Sequence, residues 1–137
     1  YAAFFGSIQI FQYLNLNGAR MTSIREAAVH GQNPEIIHLI ENSEEVGNYG
    51  YAFNEAVKCN HNNIADYFID SSKPIRDYDK SNAKTSAIRY YNYHYFPVEK
   101  PNEALKSFCR YGYYKLVEFY LKDAKGELNM QKIFIQF

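Results

Sequence analysis

The residues with the greatest potential for chemistry in this 137-residue chain are two cysteines and four histidines. The nearest approach to a metal site is Cys59-x-His61, which supplies two ligands at an awkward helical spacing, whereas zinc needs three or four converging ligands. His30 and Cys59 occupy equivalent positions in a repeated phrase described below, which would place them near one another. Without a third group to orient a base, the pattern favours a surface histidine and a half-buried reduced thiol over a metal or catalytic site.

Other catalytic and nucleic-acid-binding patterns are missing from the sequence. It contains no GxxxxGK[ST] phosphate loop, GxSxG nucleophile elbow, HExxH helix or CxxC pair. The carboxylates Glu26, Glu55 and Glu44-Glu45 are typical of solvated helix faces and loops. Basic and acidic residues number 15 each, so the aromatic run from Tyr90 to Phe96 is better explained by packing than by base stacking. We therefore expect no enzyme activity, no catalytic residue, no cofactor, no metal and no nucleic-acid partner.

The elements that would position these residues are indicated by a helical-hairpin phrase that occurs four times. It reads AAFFGSIQIFQYL from Ala2, AAVHGQNPEIIHLI from Ala27, AVKCNHNNIADYFI from Ala56 and FCRYGYYKLVEFYL from Phe108. Each copy has two small or apolar residues, two variable residues, a Gly or Asn, and then an apolar helix. Because one hairpin cannot bury its apolar face alone, the repetition predicts hairpins that stack on one another.

The residue after each variable pair is predicted to end the first helix of its copy. Gly31 is expected to take the left-handed conformation that glycine tolerates, with Pro34 in the first turn of the next helix. Asn60 replaces the Gly in the third copy, and Asn is the next best residue at such a position. The polar stretch from Ser71 to Lys84 predicts a long loop.

The repeats predict a single domain spanning residues 1–137. Its approximate units are 1–22, 23–50, 51–79, a degenerate unit at 80–100, and 101–126, followed by a tail at 127–137. The best candidate for the degenerate copy is 84–96, with Ile88 as its first-helix anchor. Since the chain starts at Tyr1, already inside the first phrase, we expect it to be an excerpt of a longer protein.

These phrases resemble the ankyrin repeat. The fourth copy, ALKSFCRYGYYKLVEFYL, is close to the helix–turn–helix pattern of that family, and LNLNGARMT in the first copy is similar to the loop after its second helix. The resemblance implies an all-α solenoid of stacked antiparallel helix pairs. The spacing here is shorter than the family's 33 residues, which implies short loops and little or no β-structure.

In ankyrin-like arrays the concave surface presents the variable pair of each copy and the loops that enter the first helices. Carried over by position, the resemblance implies a protein-binding surface made of Phe4, Phe5, Met21, Val29, His30, Gly50, Lys58, Cys59, Asn102, Arg110 and Tyr111. The function implied is that of a monomeric scaffold for one or more protein partners. The alternative is a structural or regulatory repeat segment of a larger multidomain protein, with no independent ligand.

The sequence also bears on the compartment. No apolar run reaches the roughly 18–20 residues needed to cross a bilayer, so we expect no membrane partner. Both cysteines fall inside helical phrases, and no Asn begins an Asn-x-Ser/Thr sequon. These features favour a cytoplasmic protein, or a nuclear one.

Overall fold

A computed structural model describes residues 1–20, 22–43, 47–71, 73–96 and 101–123, except for the side chains of 101–103 and 123. These residues form eight α-helices and one short 3-10 turn, and none of them lies in a β-strand. The all-α class is therefore confirmed for the described residues. The elements are α1 (Ile8–Leu16), α2 (Ile24–Gly31), α3 (Pro34–Ser43), α4 (Gly50–Lys58), α5 (Asn62–Asp70), α6 (Asp77–Arg89), the 3-10 turn (Tyr93–Tyr95), α7 (Pro101–Arg110) and α8 (Tyr114–Asp123).

A left-handed residue stands at the hairpin turn of every copy, the degenerate one included. These residues are Gly6, Gln32, Asn60, Tyr91 and Gly112, with φ between +50° and +72°. At four of the turns the next residue donates its backbone N–H at 2.9 Å to the carbonyl five residues earlier: Ser7 to Ala2, His61 to Ala56, Asn92 to Ala87 and Tyr113 to Phe108. This arrangement satisfies a carbonyl at the helix end and reverses the chain.

The second copy differs from the prediction in the position of its turn. Gly31 is the last residue of α2, and Gln32 after it is the left-handed residue, so the role predicted for Gly31 is wrong. This copy carries one more residue than the others between its small pair and the following helix, and that residue extends α2 before the turn. Gly31 is needed for close approach instead, because a Cβ on it would overlap the carbonyl oxygen of Ala3.

The degenerate copy has the predicted anchor but a longer first helix than expected. Ile88 is buried near the end of α6, and the 3-10 turn Tyr93–Tyr95 stands where the other copies have a second helix. Pro97 follows this turn in the sequence, and proline lacks the N–H that an extended helix would use. The copy therefore keeps the first helix and the left-handed turn of the repeat.

The loop predicted from Ser71 to Lys84 is wrong from Asp77 onward, where α6 begins. The buried stripe of α6 consists of Asp79, Ala83 and Ala87, which share one face because they are four residues apart. Asp77 and Asp79 in the first turn also suit the positive end of the helix dipole. Apart from Ile88 near its end, α6 buries no large apolar residue, so hydrophobic periodicity does not reveal the helix.

Asp79 joins the start of α6 to the start of α4. Its Oδ2 accepts hydrogen bonds from Arg76 Nε at 2.8 Å and from Asn48 Nδ2 at 3.2 Å. The hydrogen bond from Arg76 holds the pKa of the Asp79 carboxyl below its usual value, although burial opposes this. Gly50 is buried beneath this carboxylate, where a Cβ would overlap it, so its predicted place on a binding surface is wrong.

The chain divides into two compact units, residues 1–83 and 84–137. The boundary falls within α6. In the first unit α2 packs against α3 and α4, α4 packs against α5, and α1 packs against α3. In the second unit α7 packs against α8, and Ile88, Ala104 and Phe108 form a buried cluster. The single repeat domain over 1–137 stays a prediction. The largest buried side chains of the first unit include Val29, Ile36, Ile40, Val57 and Phe68.

The position of the second turn can be tested by substitution. Gln32→Gly should raise the free energy of unfolding by up to about 1 kcal/mol, because glycine removes the Cβ clash of a left-handed residue. Gln32→Ala, which keeps a Cβ, is the matched control and should give no gain. Chemical denaturation measures both. A clear loss of stability in Gln32→Gly would place the left-handed residue elsewhere.

The Asp79 carboxylate should make stability depend on pH. Its lowered pKa means that the folded state binds this proton less readily than the unfolded state, whose carboxyl titrates near about 3.9. The contribution is therefore complete above about pH 5 and is lost as pH falls through the lower folded-state pKa. Urea denaturation should show that the stability gap between the parent and Asp79→Asn narrows on acidification, whereas the gap for the exposed Glu35→Gln stays small throughout. A gap for Asp79→Asn that does not change with pH would contradict this assignment.

Candidate functional site

In the first unit, the turns of the first two copies lie in direct backbone contact. A Cβ on Gly6 would lie 2.7 Å from the Gly31 carbonyl oxygen, and one on Gly31 would lie 2.8 Å from the Gly6 nitrogen. Asn33 bonds across this contact, since its Nδ2 donates to the Gly6 carbonyl at 3.0 Å. Its Oδ1 accepts the backbone N–H groups of Glu35 and Ile36 at the start of α3. One amide thus caps α3 and ties it to the preceding turn.

Beside these turns, side chains from three successive copies form a connected row, consisting of Phe4, His30, Glu55, Lys58 and Cys59. The Phe4 ring stacks on the His30 ring with centroids 4.6 Å apart. His30 Nε2 lies 3.1 Å from Glu55 Oε1, and His30 Nδ1 lies 3.7 Å from Cys59 Sγ. Lys58 Nζ donates to Glu55 Oε2 at 3.1 Å. His30 and Cys59 are therefore close together, as expected, but they are not equivalent positions: counted back from the left-handed residues Gln32 and Asn60, His30 corresponds to Lys58.

Solvent reaches the row along its length. Phe4 is 41% exposed, and Phe5 next to it is 73% exposed. The side chains of His30, Glu55 and Lys58 are about one-quarter to one-third exposed. Lys58 and Glu55 form an ion pair, so their charges compensate each other. The exposed surface therefore combines the rings of Phe4 and the adjoining Phe5 with a neutral pair of charged groups.

The electrostatics of the row stabilise the neutral form of the Cys59 thiol. Glu55 supplies the group on the far nitrogen of His30 that the sequence did not reveal, so Cys59, His30 and Glu55 are arranged as a thiol, an imidazole and an orienting carboxylate. Burial raises the pKa of the Cys59 thiol, and the charge of Glu55 raises it further. Burial and the charge of His30 lower the pKa of His61 at the start of α5. An activated cysteine has a depressed pKa, whereas the pKa of Cys59 is raised.

Two predictions about residues near the row need correction. Val29, expected at the binding surface, is fully buried, because the extra residue of the second copy moves His30 and Gly31 into the variable positions. Glu55, expected on a solvated face, is half-buried in contact with His30 and Lys58. Glu55 precedes Lys58 and Cys59 by three and four residues, and this spacing is the sequence signal that all three share one helix face.

The remaining predicted surface residues do not belong to the row. Arg110 is exposed in the second unit, and Tyr111 there is half-buried against the cluster that contains Phe108. Met21 and the side chain of Asn102 lie outside the described residues. The assignment of Arg110 and Tyr111 to protein binding stays a prediction.

The degenerate copy presents a further pair at the variable positions. Arg89 and Tyr90 lie just before the left-handed Tyr91, and the Arg89 guanidinium carbon is 5.5 Å from the Tyr90 ring centroid. Sequence analysis missed this pair because the four-copy phrase does not include it. The signal that identifies it is Ala87-Ile88, an apolar pair followed by two variable residues.

Comparison with protein-family models, curated proteins and solved structures finds no match for this chain. Over the residues that the structure describes, no helix is both long enough and apolar enough to cross a bilayer.

The two roles of Asn33 can be separated by a pair of substitutions. Asn33→Ala removes both the helix cap and the bond to Gly6, so it should lower the free energy of unfolding by about 1–2 kcal/mol. Asn33→Asp keeps a capping oxygen and loses only the donor to Gly6, so its loss should be smaller but measurable. The exposed Asn63→Ala is the control and should stay within about 0.5 kcal/mol of the parent. If Asn33→Asp has the same free energy of unfolding as the parent in chemical denaturation, the hydrogen bond from Asn33 to Gly6 contributes nothing to stability.

Proposed function

We propose that the chain is an ankyrin-like helical-repeat scaffold that binds a protein partner through the row and the adjoining Phe5. The observation that supports this most directly is the unbroken run of contacts from Phe4 through His30 to Glu55 and Cys59. It joins side chains that lie just before the hairpin turns of three successive copies into one surface. A row of this kind grows with the number of copies, as expected of a recognition surface built from repeats.

The helix packing of the first unit supports the same proposal. The first helices α2 and α4 pack on each other, as do the second helices α1 and α3. Like helices of neighbouring copies are therefore in contact, which is the pairing that a stack of hairpins requires. The cytoplasmic or nuclear location proposed with this function stays a prediction.

The chemistry of the row suits a partner segment that carries an apolar side chain beside a hydrogen-bond acceptor. Exposed aromatic rings such as Phe4 and Phe5 bury a large apolar area with few rotatable bonds, and aromatic and basic residues carry much of the energy at protein interfaces. Lys58 keeps N–H donors beyond the one it gives to Glu55. The backbone contact between Gly6 and Gly31 holds the turn that carries Phe4 and Phe5 against the second copy before a partner binds.

Site-specific photo-crosslinking can test the proposed surface. A photoreactive phenylalanine analogue at Phe5 should capture a protein from cell lysate, because Phe5 lies on the proposed surface. The same analogue at Tyr13, which is 66% exposed on α1, is the matched control and should not capture that protein. The affinity of the captured protein should then fall by at least about tenfold for Phe4→Ala with Phe5→Ala, and not for Tyr13→Ala.

Two outcomes would contradict this function. Equal capture from Phe5 and Tyr13 would show that the row is not selective. No specific capture from either position, with the chain folded by circular dichroism, would favour a structural segment of a larger protein with no ligand of its own.

A further inference from the structure

Three side chains of different chemical classes converge in the first unit. One ligand atom each from His30, Glu55 and Cys59 lie within 4.8 Å of one another, and all three residues are half-buried. Among the residues described by the structure, this is the one group of three or more such side chains close enough to hold a metal ion. The group combines an imidazole, a carboxylate and a thiol, so it is not a simple acidic cluster.

We propose that His30, Glu55 and Cys59 bind a zinc ion, with water in the fourth position. Thiolate, imidazole and carboxylate are the donors that zinc takes in proteins, and three protein ligands with one water form a recognised type of zinc site. With metal–ligand bonds of about 2.0–2.3 Å in a tetrahedron, neighbouring donor atoms lie about 3.3–3.6 Å apart. Glu55 Oε1 lies 3.1 Å from Nε2 of His30 and Cys59 Sγ lies 3.7 Å from Nδ1, so the two ligands contact opposite ring nitrogens. One ligand atom from each residue nevertheless lies within 4.8 Å of the other two, and side-chain rotation has to bring the three donors to tetrahedral separations.

The ligands come from rigid positions, so the backbone need not move when the ion binds. Glu55 and Cys59 are four residues apart at the end of α4, a spacing that places both on one face of the helix. His30 lies in the last turn of α2, which packs against α4. The ion binds one ring nitrogen of His30. The residue that contacts the other ring nitrogen in this structure, Glu55 at Nε2 or Cys59 at Nδ1, reaches the ion by side-chain rotation. Zinc replaces the thiol proton, which passes to water.

The neighbouring residues indicate how the empty and loaded states differ. Phe4 stacks on the His30 ring and restricts its orientation in both states. Lys58 holds the second oxygen of Glu55 at 3.1 Å and places a positive charge where a dication would bind. Lys58 therefore opposes zinc, and replacing it should strengthen binding. The exposed edges of His30 and Glu55 give the ion and its water access from solvent.

Metal binding at this site does not depend on the proposed protein-binding function, because it uses only side chains of this chain. The probe is Co²⁺ added to the reduced full chain in the absence of oxygen, followed by competition with Zn²⁺. We expect one Co²⁺ per chain and a sulfur-to-cobalt charge-transfer absorption that Zn²⁺ abolishes. Cys59→Ser should remove the absorption, whereas Cys109→Ser, the control at the other free cysteine, should keep it.

The other ligands and Lys58 provide independent tests. His30→Gln and Glu55→Gln should each weaken Zn²⁺ binding by at least about tenfold, and Lys58→Met should strengthen it. Zn²⁺ should raise the thermal midpoint of the parent and of Cys109→Ser by mass action, but not that of Cys59→Ser. Circular dichroism of each variant separates loss of a ligand from loss of the fold.

The proposal is overturned by any of three results. The parent gives no thiolate absorption with Co²⁺; the absorption survives in Cys59→Ser and disappears in Cys109→Ser; or a folded Glu55→Gln binds Zn²⁺ as tightly as the parent.

Discussion

The backbone hydrogen bond that closes four of the five hairpin turns is the interaction on which the other features of this protein depend. It runs from the residue after a left-handed position to the carbonyl five residues earlier, as between His61 and Ala56. The residues inside this loop divide sharply, since Ala56 and Val57 face the core while Lys58 and Cys59 are half-exposed. If the helix simply continued, the apolar stripe that follows could not fold back onto it. The core and the row are therefore two sides of the same turn.

Sequence reasoning identifies the hairpins because their small residues, left-handed residue and apolar helix recur together. It fails where an unusual residue type occupies a position whose backbone conformation or burial is the same as in the other copies. Gln32 takes a conformation usually left to glycine or asparagine, so the glycine beside it is the misleading choice. Asp79 occupies a core position through its bonds to Arg76 and Asn48, which no hydrophobic pattern contains. The contact between Glu55 and His30 cannot be seen within one copy, because the two residues belong to different copies and are 25 residues apart in the chain.

The row brings a thiol, an imidazole and a carboxylate into successive contact. Cys59, His30 and Glu55 follow one another as a thiol, a base and an orienting carboxylate do in cysteine hydrolases. In such enzymes the surroundings stabilise the thiolate, whereas here burial and the Glu55 charge stabilise the neutral thiol. The same three residues are the ligands of the proposed zinc ion, whose positive charge would stabilise a thiolate. The contacts of Cys59 are thus those of a catalytic thiol, whereas its pKa is shifted in the opposite direction by its surroundings.

The left-handed turns also accommodate different spacings along this one chain. Only a few residues around each turn are constrained by the closing hydrogen bond, and the number of residues between successive turns varies from copy to copy. The second copy has absorbed an extra residue by letting α2 run one position further, and the degenerate copy has a 3-10 turn in place of its second helix. A repeat of this chain is thus defined by its left-handed turn and not by a fixed number of residues.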